Sequence, residues 1–243
     1  MFKFFFKNFI WHLKNFRFFN NFLFYYYYYI ISFVFRFFSK KFKSSDSWCE
    51  KNISKKIIIK KKFLDNRPFK KIKIKKIKKS AANIDLLFSI INNNKNIKKI
   101  LETGVSYGYS SYVILDSIKH RKKSFLYSID MPYVEKKNFE YVGSVVPKNL
   151  RKKWHLLRCP DRNGIAKISK MRIKFDLIHY DSDKTFYGRY VSYFKIYELL
   201  KKGGIFISDD VGDNHAFKYF VNKKKVKFYI VKVNNKYQGL FKK

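Results

Sequence analysis

Acidic residues are scarce in this chain. Only 17 aspartates and glutamates stand against 55 lysines and arginines in 243 residues, a formal net charge of +38. Dense lysine suits a polyanion, because it neutralises phosphates and releases counterions. Yet Lys, Asn, Ile, Phe and Tyr are abundant together, and these are the residues of AT-rich codons, so mutational bias could supply much of the charge without selection for a polyanion. A nucleic-acid partner stays open, and an anionic membrane surface or an acidic glycan matches the charge equally well. Cysteine is rarer still. Cys49 and Cys159 make no metal-ligand spacing and exclude a disulfide framework, which fits a reducing cytoplasm. A small-residue cleavage site is missing near the N-terminus, which argues against a secretory signal peptide.

Long charge-free runs are also rare. The stretch Phe18 to Phe35 is only just long enough for a membrane span, and it carries Asn20, Asn21 and the five tyrosines Tyr25–Tyr29. Tyrosine prefers the headgroup boundary to the bilayer core. Lys3, Lys7, Lys14 and Arg17 precede it. Residues 1–45 therefore read as a basic-aromatic segment that lies on an anionic membrane surface or packs as a helical extension on its own domain or on a partner, with a true membrane span as the third reading. The chain is then expected in the cytoplasm or peripherally on the inner face of a membrane. Residues 46–80 read as a lysine-rich linker, with lysine and isoleucine alternating over Lys70 to Ile77 as in an edge strand or extended arm.

From residue 81 to 243 the texture changes to that of a folded domain. An amphipathic helix ("AANIDLLFSIINN") precedes a strand ("IKKILET") and a helix ("YSSYVILDSI"). Further strands follow at "SFLYSID", "WHLLRC", "FDLIHYD" and "GIFISDD", with helical patterns after them. Five alternations of strand and helix predict a doubly wound, mostly parallel α/β sheet of Rossmann-like type. "VKFYIVKV" and "YQGLFKK", joined at Asn234-Asn235, predict a terminal antiparallel hairpin.

Ligands of such sheets bind beyond the carboxyl ends of the strands. The first strand runs into "ETGVSYGYSS", with Gly104 and Gly108 spaced G-x-x-x-G. The G-x-G-x-x-G of a dinucleotide cradle is absent, which argues against a nicotinamide oxidoreductase. The second strand ends in Asp130, a carboxylate placed to accept both hydroxyls of a ribose.

"ILETGVSYGYSS", "LYSID", "FDLIHYDSDKTFYGR" and "LLKKGGIFISDDVGDNHAF", in this order, resemble a class I S-adenosylmethionine-dependent methyltransferase. The branch it is most similar to has D-x-D-H-[ST]-[YF] after the fourth strand and G-G-hydrophobic-D-D in the fifth. The resemblance implies a seven-stranded sheet and S-adenosylmethionine as cofactor. It implies that Glu102, Gly104, Gly108 and Ser111 hold the methionine part, Asp130 the ribose, and Asp161 the adenine, although Pro160 replaces the usual glycine before that acid. It also implies a small-molecule or glycan acceptor methylated on oxygen. Asp181, Asp209 and Asp210 would converge at two strand tips. Three close carboxylates resist ionising together, so Mg²⁺ or another divalent cation with oxygen ligands would suit them. Lys184 replaces the branch's histidine; its spacing from Asp181 is that of the lysine base in metal-dependent catechol-type methyltransferases. The rival reading keeps the fold without turnover, as a nucleic-acid- or membrane-binding protein.

Overall fold

The computed structural model describes residues 2–54, 63, 83–131, 141–233 and 235–243, and the side chains from residue 5 onward. The lysine–isoleucine alternation lies outside the described residues, as does position 234 of the hairpin turn. The chain begins with two helices, α1 (Phe2–Lys14) and α2 (Phe19–Phe38), and a short α3 (Asp46–Lys51). The domain continues through α4 (Ile84–Asn93), β1 (Lys99–Thr103), α5 (Tyr109–Ile118), β2 (Phe125–Asp130) and β3 (Trp154–Arg158). Then come α6 (Asp161–Lys170), β4 (Phe175–Tyr180), α7 (Phe186–Leu199), β5 (Leu200–Ser208), α8 (Ala216–Lys224), β6 (Phe228–Val233) and β7 (Lys236–Lys242).

The strands form one seven-stranded sheet in the order β3-β2-β1-β4-β5-β7-β6. β1 to β5 are parallel, while β7 pairs antiparallel with both β5 and β6. The doubly wound sheet and the terminal hairpin are thus as expected. Strand residues alternate between two cores, because successive side chains point to opposite faces. Ile100, Leu126, Leu177 and Ile207 pack with Leu87 and Ile91 of α4 and with Val113 and Ile114 of α5. Their neighbours Leu101, Ile129, Ile178 and Phe206 pack with Ile165 of α6, Tyr193 of α7 and Phe220 of α8. Each such fully buried side chain contributes about 1.5–3 kcal/mol. Side chains fix two helix starts. Asn83 Oδ1 accepts from Leu86 N at 3.0 Å ahead of α4, and Thr185 Oγ1 accepts from Gly188 N at 3.0 Å ahead of α7.

The N-terminal segment packs on its own domain. A 3-10 turn at Phe16–Phe18 folds α2 back along α1, and Trp11, Phe18 and Phe22 are buried. Tyr28 stacks on Tyr187 of α7 at 5.7 Å, and the Arg162 guanidinium of α6 sits 3.6 Å above the Phe24 ring. Ser45 fastens the following turn, donating from N to Gly212 O and from Oγ to Val211 O, each at 2.7 Å. Residues 46–54, within the segment read as a linker, form α3 and a bridge from Ile53 to Ile230 of β6. Among the described residues, no helix is long and apolar enough to cross a membrane.

Candidate active site

The carboxyl ends of β1, β2 and β4 and the start of α6 open onto a cavity of about 380 Å³. The α1–α2 hairpin roofs it. Gly104, Asp130, Asp161, Asp181 and Asp183 line it from the sheet side, and His12, Asn21, Phe24, Tyr25 and Tyr28 from the hairpin.

Gly104 has φ +83°, and a Cβ there would fall 2.3 Å from the Asp181 carbonyl oxygen. Only glycine lets β1 leave the sheet so close to the end of β4. The loop continues through Ser106, a non-glycine residue at φ +52°. Val105 N and Ser106 N donate to Asp130 Oδ2 at 2.8 and 2.6 Å, and Met131 N donates to Oδ1 at 2.8 Å. Burial raises the Asp130 pKa to about 6 against the pull of these three donors. Asp161 Oδ2 accepts from Ser182 Oγ at 2.8 Å and Tyr180 Oη at 3.3 Å.

Three expected cofactor residues do something else. The Glu102 side chain is fully buried and lies off the cavity. Its oxygens accept from Ser110 Oγ at 2.6 Å, Ser111 Oγ at 2.5 Å and Ser128 Oγ at 2.7 Å. Glu102 and Ser111 therefore tie β1, β2 and α5 together, behind the loop that they were expected to complete. Gly108, at φ +88°, starts α5 where a Cβ would meet Gly143 Cα at 2.7 Å. It too is off the cavity lining.

The expected metal triad is drawn apart. The Lys184 ammonium pairs with Asp181 Oδ1 and lies 3.0 Å from Asp210 Oδ2. Asp209 turns the other way, accepting from Gln238 Nε2, with His179 Nε2 at 3.6 Å. Only Asp181 of the three lines the cavity. Among the described residues no group of three His, Cys, Asp or Glu side chains converges in a metal-binding arrangement. The residues present do not fit a divalent ion, because an ammonium already stands between two of the carboxylates.

Charges around Lys184 also oppose its expected role as base. Burial alone would lower its pKa, but Asp181, then Asp210 and Asp209, raise it above the ordinary lysine range despite the Arg189 guanidinium. Lys184 is a fixed cation. Burial likewise lifts Asp181 to about 6, against the pull of Lys184, and Asp183 to about 6, helped by the Asp161 charge. Asp183 Oδ1 also accepts from Thr185 N at 2.7 Å, at the start of α7. His179 is fully buried in the sheet. Burial alone would lower its pKa, but Asp209 and Glu102 raise it to about 10.

His12 and Asn21 carry no sequence signal of a site. They lie in the aromatic segment, far from any strand end, and reach the cavity only because the hairpin folds over it. Histidine in an otherwise aromatic helix is the one compositional mark that would single His12 out.

A strand-end loop that leaves room only for glycine, followed by a buried carboxylate at the next strand tip, suits the methionine and ribose ends of S-adenosylmethionine. The sheet order is that of the class I S-adenosylmethionine-dependent methyltransferase fold. Residues 101–211 match the Methyltransf_24 family, described as a methyltransferase domain. No curated protein matches the chain. Among solved structures, the chain is similar to the O-methyltransferase from Bacillus cereus in complex with SAH, at 13% identity and TM-score 0.56, over 70% of this chain and 87% of that one. It is similar to the O-methyltransferase TomG from Streptomyces achromogenes, involved in tomaymycin synthesis and in complex with SAM, at 14% identity and TM-score 0.54 over 65% and 78%. The SAH-bound methyltransferase PaMTH1 from Podospora anserina aligns at 15% identity and TM-score 0.51 over 81% and 93%.

Proposed function

We propose that the chain methylates oxygen on a small hydroxylated acceptor, with S-adenosylmethionine held between Gly104, Asp130 and Asp161. The observation that carries this reading is the cavity joining those three residues to an aromatic, hydroxyl-bearing wall on the hairpin. The cofactor supplies an electrophilic methyl group on sulfonium. Asp130 offers its remaining lone pairs to two neighbouring hydroxyls of the ribose. Gly104 lets the backbone approach the methionine end. The hairpin covers one side of the cavity and lowers its water content, so a positive charge that is lost on transfer is less well solvated beforehand, and the acceptor would be held in line with the bond that breaks. Lys184 contributes a fixed positive charge at the edge of this site, in place of the divalent cation anticipated from the aspartates.

The outer face of the hairpin supports a membrane-surface location for this activity. Among the described residues every exposed large hydrophobic side chain lies between Phe5 and Phe38, except Met171 and Tyr219. Lys7, Lys14, Arg17 and Arg36 flank them, which suits an anionic bilayer.

Calorimetric titration of the full chain with S-adenosylmethionine tests the cofactor reading. Wild type is expected to bind, and Asp130→Ala to lose at least about tenfold in affinity, the equivalent of one charge-assisted hydrogen bond. A wild-type chain that takes up no S-adenosylmethionine overturns the reading.

A further inference from the structure

The cavity is not sealed from the outer face of the hairpin. Phe24 and Tyr25 line it, yet they are 45% and 48% exposed, so they stand at its rim. Tyr27, three residues on from Phe24, occupies the neighbouring part of the helix surface. There Leu23, Tyr27, Ile30, Val34 and Phe37 follow one another at spacings of four and three residues, all of them exposed. Such spacing draws a single apolar stripe along α2. A hydrocarbon chain lying on that stripe meets the cavity at Phe24.

Charge selects what covers the stripe. Lys14 and Arg17 precede it, Arg36, Lys40 and Lys41 follow it, and residues 1–45 contain no acid. A second copy of the chain seated there would set these cations against one another in either orientation. An anionic bilayer compensates them, and the tyrosines suit its headgroup level.

Arg162 marks the same rim from the domain side. It lines the cavity at the start of α6, with its guanidinium carbon 3.6 Å from the centre of the Phe24 ring. Among the described residues no carboxylate pairs with that guanidinium. The adjacent Asp161 carboxylate instead accepts from Ser182 Oγ, from Tyr180 Oη and, at 2.6 Å, from the Arg162 backbone N. The planar donor fork of Arg162 is therefore open to an oxyanion such as a phosphate, which it suits in geometry as well as charge. Further in, Asp130, Asp161, Asp181 and Asp183 line the cavity. These acids keep an anionic group out at the rim, while hydroxyls beside it can enter. The volume of about 380 Å³ is at the small end of ligand sites. With S-adenosylmethionine in place it takes a head group and leaves a hydrocarbon tail outside.

We propose that the acceptor is an acidic membrane lipid with free hydroxyls in its head group, held at its phosphate by Arg162 and delivered over the Phe24–Tyr25 rim from the bilayer. This rests on the methyltransferase reading, and makes the small hydroxylated acceptor a lipid head. Arg162 is a specificity residue for that lipid and takes no part in holding the cofactor. In the transfer, a head-group oxygen forms its bond to the methyl carbon as the carbon–sulfur bond breaks. The electron pair stays on sulfur, which becomes a neutral thioether, and the hydroxyl proton passes to solvent at the rim.

The test uses the full chain with S-adenosylmethionine and reads release of S-adenosylhomocysteine. The probes are vesicles of phosphatidylcholine, alone or carrying phosphatidylglycerol, phosphatidylinositol or phosphatidylethanolamine, and the soluble head glycerol 3-phosphate. Turnover is expected with phosphatidylglycerol or phosphatidylinositol, and not with the other probes. Arg162→Gln is expected to raise KM for the acidic lipid at least about tenfold, the loss of one charge-assisted pair, with affinity for S-adenosylmethionine unchanged by calorimetry. Arg162→Lys, which keeps the charge and loses the fork, is expected to recover part of that loss, as a merely structural arginine would not. Wild-type KM in Arg162→Gln overturns the role of Arg162. Turnover of glycerol 3-phosphate as fast as of the vesicles, or of phosphatidylethanolamine alone, overturns the acidic lipid as acceptor. So does a chain that binds S-adenosylmethionine and turns over neither acidic lipid. A chain that binds no S-adenosylmethionine instead removes the methyltransferase reading itself, which the calorimetry shows separately.

Discussion

The Lys184 ammonium lies 3.0 Å from Asp210 Oδ2 while pairing on its other side with Asp181. One side-chain cation thus neutralises acids from the ends of β4 and β5 that a divalent ion would otherwise bridge. Removing it should create the vacancy that the acids alone suggest. Lys184→Ala is expected to bind Mn²⁺ at least about tenfold more tightly than wild type, since two uncompensated carboxylates favour a hard cation. Titration calorimetry reads this directly. Wild type binding Mn²⁺ as tightly as the variant would show that the ammonium yields to a metal.

Gly104 is the position where the fold and the site share a constraint. Its φ of +83° disfavours any side chain, and a Cβ would fall 2.3 Å from the Asp181 carbonyl oxygen. Gly104→Ala is expected to cost about 1–3 kcal/mol from backbone strain alone and to weaken S-adenosylmethionine binding as the loop shifts. Urea unfolding and calorimetry measure the two effects. A variant with wild-type stability and affinity would remove Gly104 from the site.

Much of this was legible in the sequence, and the reason is geometric. In a parallel sheet, an apolar run followed by an unusual residue marks a strand tip, so Gly104, Asp130 and Asp181 could be placed at strand ends from the pattern, while Asp161 came only from the family resemblance. The same local pattern does not say which way a side chain turns. Glu102 lies on β1 like a cofactor ligand, but its carboxylate is taken up by three serine hydroxyls. Nor does spacing show that Lys184 fills the gap between two acids. His12 and Asn21 were invisible for a different reason. Their place at the cavity arises only from the packing of α1 and α2 over strand tips distant in sequence, and no local periodicity encodes that contact.

The buried acids set the pH response of the protein without ligand. Asp130, Asp181 and Asp183 have folded pKa values of about 6 against an ordinary 3.8. Between those values the folded state holds more protons than the unfolded chain, so stability falls as pH rises through the window, and the cost is complete above it. His179, raised to about 10 from 6.5, leans the same way. Its contribution is full below the unfolded value and is lost as pH climbs toward 10. Asp176 and Asp210, held below the ordinary value chiefly by lysine neighbours that outweigh burial, act only in more acidic solution. The melting temperature is expected to be at least about 2 °C higher near pH 5 than near pH 8. Cofactor affinity should run the opposite way, weakening as Asp130 gains a proton below about pH 6. Thermal melts and calorimetry at both values check the pair of slopes. Slopes of the same sign would mean that Asp130 does not serve the ribose as a carboxylate.

The hairpin has two faces with different work, and the outer one is separable by mutation. Phe33, Phe37 and Phe38 are 57%, 69% and 80% exposed, so replacing them removes surface and not core. Inserted into a bilayer interface, each would contribute up to about 1.5–3 kcal/mol, and basic neighbours near an anionic surface add about 1 kcal/mol apiece. The full chain is expected to co-sediment with vesicles containing phosphatidylglycerol, less so as salt is raised, and weakly with pure phosphatidylcholine. The triple variant Phe33→Ser, Phe37→Ser, Phe38→Ser should bind the anionic vesicles at least about tenfold more weakly. Its affinity for S-adenosylmethionine should be unchanged, because none of the three residues lines the cavity. Equal vesicle binding by the variant would place the contact elsewhere. A wild-type dimer in light scattering that the variant abolishes would assign this face to a second copy of the chain in place of lipid.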